Sequence, residues 1–141
     1  MTEANLLVLC TGNSCRSQMA EGYLRHLAGE RFNVFSAGME PSPEVHPLAV
    51  KVMQEDGIDI YLQRPKHVKE FLGRIPVRYL IVVCHGASQN CPQIFPGMSE
   101  KLDWPFEDPA AFQGSASETL GKFRTVRDEI KAKILSWLET P

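Results

Sequence analysis

A cysteine, Cys10, follows the apolar run Leu6-Leu7-Val8-Leu9, and Arg16 stands six positions after it. Between them lie Thr11, Gly12, Asn13, Ser14 and Cys15, and Ser17 comes next. This spacing suits a loop folded around a tetrahedral oxyanion, with the Cys10 sulfur beneath it and the Arg16 guanidinium beside it. A thiol is nucleophilic only as thiolate, and its ordinary pKa is ~8.5. Three features are expected to lower it here. The loop precedes a helix, whose N-terminus carries partial positive charge. The peptide N–H groups from Thr11 to Arg16 can form an anion nest. Arg16 adds a full charge on a planar fork that matches an oxyanion. Ser17 can donate to the sulfur, and Gly12 gives the backbone freedom of a tight loop. The simpler alternative is a buried cysteine at a strand end, since C-x5-R alone matches many chains by chance. The position between a buried strand and a helix favours the chemical reading.

Thiolate attack on an oxyanion needs a proton for the departing oxygen. Asp108 lies in Trp104-Pro105-Phe106-Glu107-Asp108-Pro109. Its apolar neighbours are expected to desolvate the carboxyl and raise its pKa, as a general acid near neutrality requires. Glu107 is the competing carboxylate, and an Asp-Pro that merely opens a turn is the simpler alternative.

Two further cysteines, Cys84 and Cys91, sit seven residues apart. In a regular helix or strand that separation places their α-carbons at least about 10 Å apart. A disulfide needs less than about 7 Å, so the segment must loop back or rearrange if the pair is to bond. Gly86 and Pro92 are compatible with that. One core cysteine and one incidental loop cysteine is the plainer reading. A metal site is weaker, because the pair lacks the C-x2-C knuckle and a second ligand pair.

These residues need a scaffold. The chain has 141 residues, enough for a single catalytic domain over 1–141. Its 43% hydrophobic and 23% charged content is that of a soluble globular protein. A net charge of −2 gives no electrostatic reason to expect nucleic acid or an anionic membrane as partner. The start lacks a basic signal-peptide region and no apolar run reaches a membrane span of ~20 residues, so a cytoplasmic location is expected. There, cysteines are more often catalytic, redox-active or metal-binding than a stable disulfide framework. Strands are expected at Leu6–Leu9, Phe32–Ala37, Tyr79–Val83 and Leu102–Phe106, with a loop over 85–101. Helices are expected at Ser14–Ala28, Leu48–Asp56, Lys66–Leu72 and after a Ser115/Glu118 capping box. The first carries Met19, Ala20, Tyr23, Leu24 and Leu27 near one stripe, and the last carries Leu120, Phe123, Val126, Ile130, Ile134 and Trp137. This alternation predicts an α/β fold: a single open, mainly parallel four-stranded sheet with helices on both faces. Ligands of such sheets bind beyond the strands' carboxyl ends, so Cys10 and Cys84 are expected at one edge.

Cys10 to Gly22, read as CTGNSCRSQMAEG, resembles the phosphate-loop signature of the low-molecular-weight protein tyrosine phosphatase superfamily. More narrowly it is similar to the thioredoxin-coupled arsenate reductases built on that fold. The likeness extends to Phe35-Ser36-Ala37-Gly38, Gly57-Ile58-Asp59-Ile60, Asp108-Pro109 and the stretch from Phe123 to Ile130. It implies that Cys10, Arg16, Cys84, Cys91 and Asp108 are catalytic, with residues 11–17 binding the oxyanion and Asp108 acting as the acid. It implies a three-thiol relay, from Cys10 to Cys84 to Cys91, regenerated by thioredoxin with no resident cofactor or metal. Arsenate is the implied substrate, phosphate and sulfate are competing oxyanions, and a monomer is expected. Cys15 reads as structural, or as a protective partner of Cys10. Some members bind potassium through residues matching Asn13, Glu21, Ser36 and an Asp. Lys66 stands at the Asp position, and its ammonium is expected to replace the cation, giving no potassium dependence. A phosphomonoester or phosphotyrosine phosphatase is the alternative, with weak phosphatase activity expected either way. A non-enzymatic oxyanion or redox sensor is a third reading, disfavoured by intact Cys10, Arg16 and Asp108.

Overall fold

The computed structural model describes residues 4–71, 73–83 and 100–140. Its strands are β1 (Ala4–Cys10), β2 (Phe32–Gly38), β3 (Tyr79–Val82) and β4 (Glu100–Asp103), all parallel in the order β2-β1-β3-β4. Central β1 is covered on both faces, which is why Leu6 to Leu9 form a continuous apolar run, each fully buried.

The helices are α1 (Arg16–Ala28), α2 (Pro47–Glu55) and α3 (Ala116–Leu138). Side chains alternate along β2. Phe32 stacks on Trp137 of α3 with ring centroids 5.5 Å apart, and Ser36 bonds Glu21 of α1, so α1 and α3 cover that face. Phe35 points the other way and meets Phe71 at 5.2 Å, just after a 3₁₀ turn at Val68–Glu70. Helical segments thus flank both faces, as the sequence pattern predicts.

α3 begins at the expected capping box: Glu118 N–H donates to Ser115 Oγ at 3.1 Å and Ser115 N–H to Glu118 Oε1 at 2.9 Å. It buries Phe123, Val126, Ile130 and Ile134. A polar seam ties it to its neighbours. Arg124 donates to Glu55 at 2.7 Å and Arg127 at 2.9 Å. Asp56 accepts from Lys131 at 2.9 Å and from Tyr23 of α1 at 2.8 Å. The Arg124 hydrogen bond, with Arg127 beside it, pulls the Glu55 carboxyl down to about 2. Among the described residues no helix is long and apolar enough to cross a membrane.

Three local expectations change. β4 starts at Glu100, not Leu102, and its regular pairing stops at Asp103 because Pro105 has no N–H to donate. Looser bonds continue from Trp104 N–H to Val82 O (2.8 Å) and Phe106 N–H to Val83 O (3.4 Å). The helix expected from Lys66 contracts to the 3₁₀ turn, because the Lys66 backbone is already bonded to Asn13 and Gly38. Leu27 is 38% exposed, since the buried stripe in the last turn of α1 runs through Leu24 and Ala28. The loop expected over 85–101 lies outside the described residues apart from Glu100 and Lys101, which are strand.

Candidate active site

Cys10 ends β1 and α1 begins at Arg16, so residues 11–15 make the turn between them. The carbonyls of residues 10–14 all have partners outside the turn. Those of Cys10, Thr11, Gly12 and Ser14 accept from the backbone N–H groups of Met39 (3.3 Å), Glu40 (2.9 Å), Ser42 (2.9 Å) and His46 (3.0 Å). That of Asn13 accepts from Gln18 Nε2 at 3.0 Å. A trans peptide points its N–H opposite to its C=O. Turning these carbonyls outward therefore turns the N–H groups of residues 11–15 toward the centre of the loop. The Asn13 N–H confirms the sense, lying 3.2 Å from Cys10 Sγ. Cys15, the N-cap of α1, makes no side-chain cap, so no capping side chain competes at the helix N-terminus. The result is the anion nest expected from the sequence.

Close backbone approach makes this possible. A Cβ on Gly38 would lie 2.5 Å from Thr11 O and 3.0 Å from Asn13 N. Asn13 adopts φ 50°, a left-handed conformation that Asn tolerates. Its side chain donates to Ser17 Oγ (2.8 Å) and Ser36 Oγ (3.0 Å) and accepts from Lys66 N–H (2.8 Å). Ser17 Oγ lies 2.9 Å from Cys10 Sγ, as its placement predicts. Behind Asn13, Ser36 bonds Glu21, whose carboxylate also pairs with Arg25 at 2.8 Å and faces the Lys66 ammonium at 3.7 Å. Burial pushes the Lys66 ammonium below the ordinary lysine range, opposed by the Glu21 charge.

Arg16 is 8% exposed and donates to Phe106 O at 3.2 Å, with its Nη2 3.8 Å from Asp108 Oδ2. The guanidinium and the carboxyl thus share one mouth. The expected desolvation of Asp108 is not observed: its side chain is 41% exposed. Trp104 and Phe106 turn into the core instead and leave the alternate residues outside. Asp108 Oδ1 caps the 3₁₀ turn Pro109–Ala111, accepting from Ala110 N–H at 3.0 Å. The competing Glu107 points away to Lys122. Burial pushes the Cys15 thiol up to about 12, so it stays protonated at neutral pH.

The structure therefore brings together Cys10, residues 11–17 and Asp108. Cys84 and Cys91 lie outside the described residues. Val83, preceding Cys84 in the chain, donates its N–H to Leu9 O at 3.0 Å, next to Cys10. Sequence reasoning missed Gln18, Gln63 and the bracing role of residues 39–46. These act on backbone carbonyls, which carry no residue identity, so no spacing marks them.

A parallel sheet that delivers a thiol into a ring of backbone donors, with a guanidinium and a carboxyl at its mouth, defines a thiol-centred oxyanion site. Residues 5–140 match the low molecular weight phosphotyrosine protein phosphatase model, and the chain belongs to that family. An arsenate reductase of Halalkalibacterium halodurans is 41% identical over 141 residues, 99% of each chain. A solved arsenate reductase in the phosphate binding state is similar with a TM-score of 0.80 at 34% identity, covering 95% of each chain. A thioredoxin-dependent arsenate reductase of Corynebacterium glutamicum gives 0.62 at 28% identity, covering 94% of this chain and 62% of that one.

Proposed function

We propose that the protein is a cytoplasmic, monomeric arsenate reductase that turns over through three cysteines and is regenerated by thioredoxin. The observation that carries the reading is the nest of N–H groups around Cys10 Sγ with Arg16 beside it, in a chain similar over its whole length to arsenate reductases. The nest and guanidinium hold arsenate, and the Ser17 hydroxyl and Asn13 N–H favour the anionic sulfur. Cys10 thiolate attacks arsenic, and Asp108 protonates the oxygen that departs as water. Cys84 thiolate then attacks Cys10 Sγ. The electron pair of the sulfur–arsenic bond passes to arsenic, which leaves as arsenite, and a Cys10–Cys84 disulfide remains. Cys91 attacks Cys84, releasing Cys10 thiolate and forming Cys84–Cys91, which the thioredoxin dithiol reduces. Two thiols lose two electrons and arsenic gains two, so no resident cofactor or metal is required. Phosphate fits the same cradle, so it competes, and slow hydrolysis of aryl phosphates is expected.

The test is NADPH oxidation with arsenate, thioredoxin and thioredoxin reductase. Wild type turns over, Cys84→Ser is inactive, and Cys91→Ser completes one turnover and stops. Full turnover by Cys84→Ser refutes the relay. Hydrolysis of para-nitrophenyl phosphate without arsenate reduction refutes the reductase reading.

A further inference from the structure

Five consecutive carbonyls, of residues 10–14, are turned outward in the anion loop. Four are held by backbone N–H groups, which almost any residue supplies. The fifth, of Asn13, depends on a side chain: Gln18 Nε2 at 3.0 Å. We infer that Gln18 is a positioning residue, whose amide locks the Asn13–Ser14 peptide so that the Ser14 N–H faces the bound oxyanion. The inference rests on the oxyanion reading of the loop.

The lock is well determined. Gln18 is fully buried, and its amide orientation is fixed from both ends. Its Nε2 donates to Asn13 O and Arg64 O, each at 3.0 Å, and its Oε1 accepts from Gln63 Nε2 at 2.7 Å. The same Gln63 nitrogen reaches Gln18 O at 3.1 Å. Both carbonyls demand the NH₂ end of Gln18, and the Gln63 donor demands its oxygen. The lock acts where the backbone has an alternative. Asn13 sits in the left-handed region, and the peptide after it inverts by opposed rotation about the two soft dihedrals flanking it. Inversion swings the Asn13 carbonyl toward the anion and the Ser14 N–H away. That one change removes a donor and adds a repulsive oxygen. The other four carbonyls, zipped to residues 39–46, cannot respond in this way to a single side-chain replacement.

The experiment is calorimetric titration with inorganic phosphate of wild type, Gln18→Met and Gln63→Met, alongside the rate of Cys10 alkylation by iodoacetamide against pH. A hydrogen bond to a charged partner supports an expected loss of about tenfold or more in phosphate affinity for Gln18→Met. Gln63→Met, which unfixes the amide and removes one donor to Gln18 O but leaves the Gln18 to Asn13 bond its partners, is expected to lose about threefold. Alkylation of Cys10 at neutral pH slows in the same order. A purely structural role lowers the melting temperature but leaves phosphate affinity of the folded protein unchanged. Binding within twofold of wild type by folded Gln18→Met overturns the inference. If that variant does not fold, wild-type binding by Gln63→Met overturns it. Wild type that fails to bind phosphate overturns the oxyanion reading and this inference together, whereas equal tight binding by all three proteins overturns this inference alone.

Discussion

Replacing Lys66 by methionine tests whether an ammonium does the work of a metal cation behind the loop. Lys66 Nζ stands 3.7 Å from Glu21 Oε1, and the two side chains are 13% and 4% exposed. At an effective dielectric of ~20, unit charges at that distance attract by about 4–5 kcal/mol. Two effects reduce the net value. Burial already disfavours the ammonium, as its lowered pKa shows. Arg25, which pairs with Glu21 at 2.8 Å, remains as its partner when Lys66 is replaced. Breaking one of two cationic partners of a buried carboxylate then costs about 2 kcal/mol. For a chain of 141 residues that is a fall of roughly 6–10 °C in melting temperature. The assay is thermal unfolding by circular dichroism in matched sodium and potassium chloride, with arsenate turnover measured in the same buffers. Wild type is expected to be indifferent to the cation. Lys66→Asp, which sets a second carboxylate near Glu21, is expected to become potassium-dependent. A several-fold stimulation of wild type by potassium over sodium, or an unchanged melting temperature in Lys66→Met, refutes the reasoning.

Gly38→Ala places a methyl 2.5 Å from the Thr11 carbonyl oxygen, a backbone atom that cannot move aside. A loss of about 1–3 kcal/mol in denaturant unfolding and a severe loss of phosphate binding by calorimetry are expected. The Glu55 carboxyl, held at about 2 by Arg124 and Arg127, titrates below its unfolded value of 4.5. Its contribution is therefore complete above pH ~5 and lost as pH falls toward ~2. Melting temperature against pH should drop across that window in wild type and drop less in Glu55→Gln; identical slopes would remove the seam from the account of acid stability.

Legibility in the sequence followed what each feature depends on. The apolar run before Cys10, the Ser115/Glu118 box and the α3 stripe of Phe123, Val126, Ile130 and Ile134 are local patterns, and the structure repeats them. Cys10, Arg16 and Ser17 were legible because the chemistry needs those side chains at that spacing. The neighbours of Asp108 mark it as a candidate acid but mispredict its exposure. An aromatic beside a carboxyl in sequence shields it only if both face the same way, and Trp104 and Phe106 face inward. The contraction of the Lys66–Leu72 helix was hidden for a different reason. Its propensity yields to long-range bonds from Asn13 and Gly38 that no local window contains.

The least legible part is the support of the loop, and it reaches across the molecule. Ser14 O is held by the His46 N–H, and His46 also caps α2, its Nδ1 accepting from Leu48 N–H at 3.1 Å. An Nδ1 that accepts must be unprotonated, so protonation of His46 ends the cap. Burial already holds His46 below the ordinary histidine range, opposed by the Asp108 and Glu44 charges. The unfolded chain thus binds this proton more readily than the folded one. The associated stability is present above pH ~6.5 and is lost as pH falls. The His46 ring packs on Phe123 of α3 at 4.7 Å, and the other end of α2 is fastened to α3 through Glu55 and Asp56. Acid therefore acts on α2 at both ends, at the His46 cap beside Ser14 and at the Glu55 seam. Loss of the oxyanion cradle should accordingly precede loss of the sheet, whose central strands β1 and β3 carry no Asp, Glu or His.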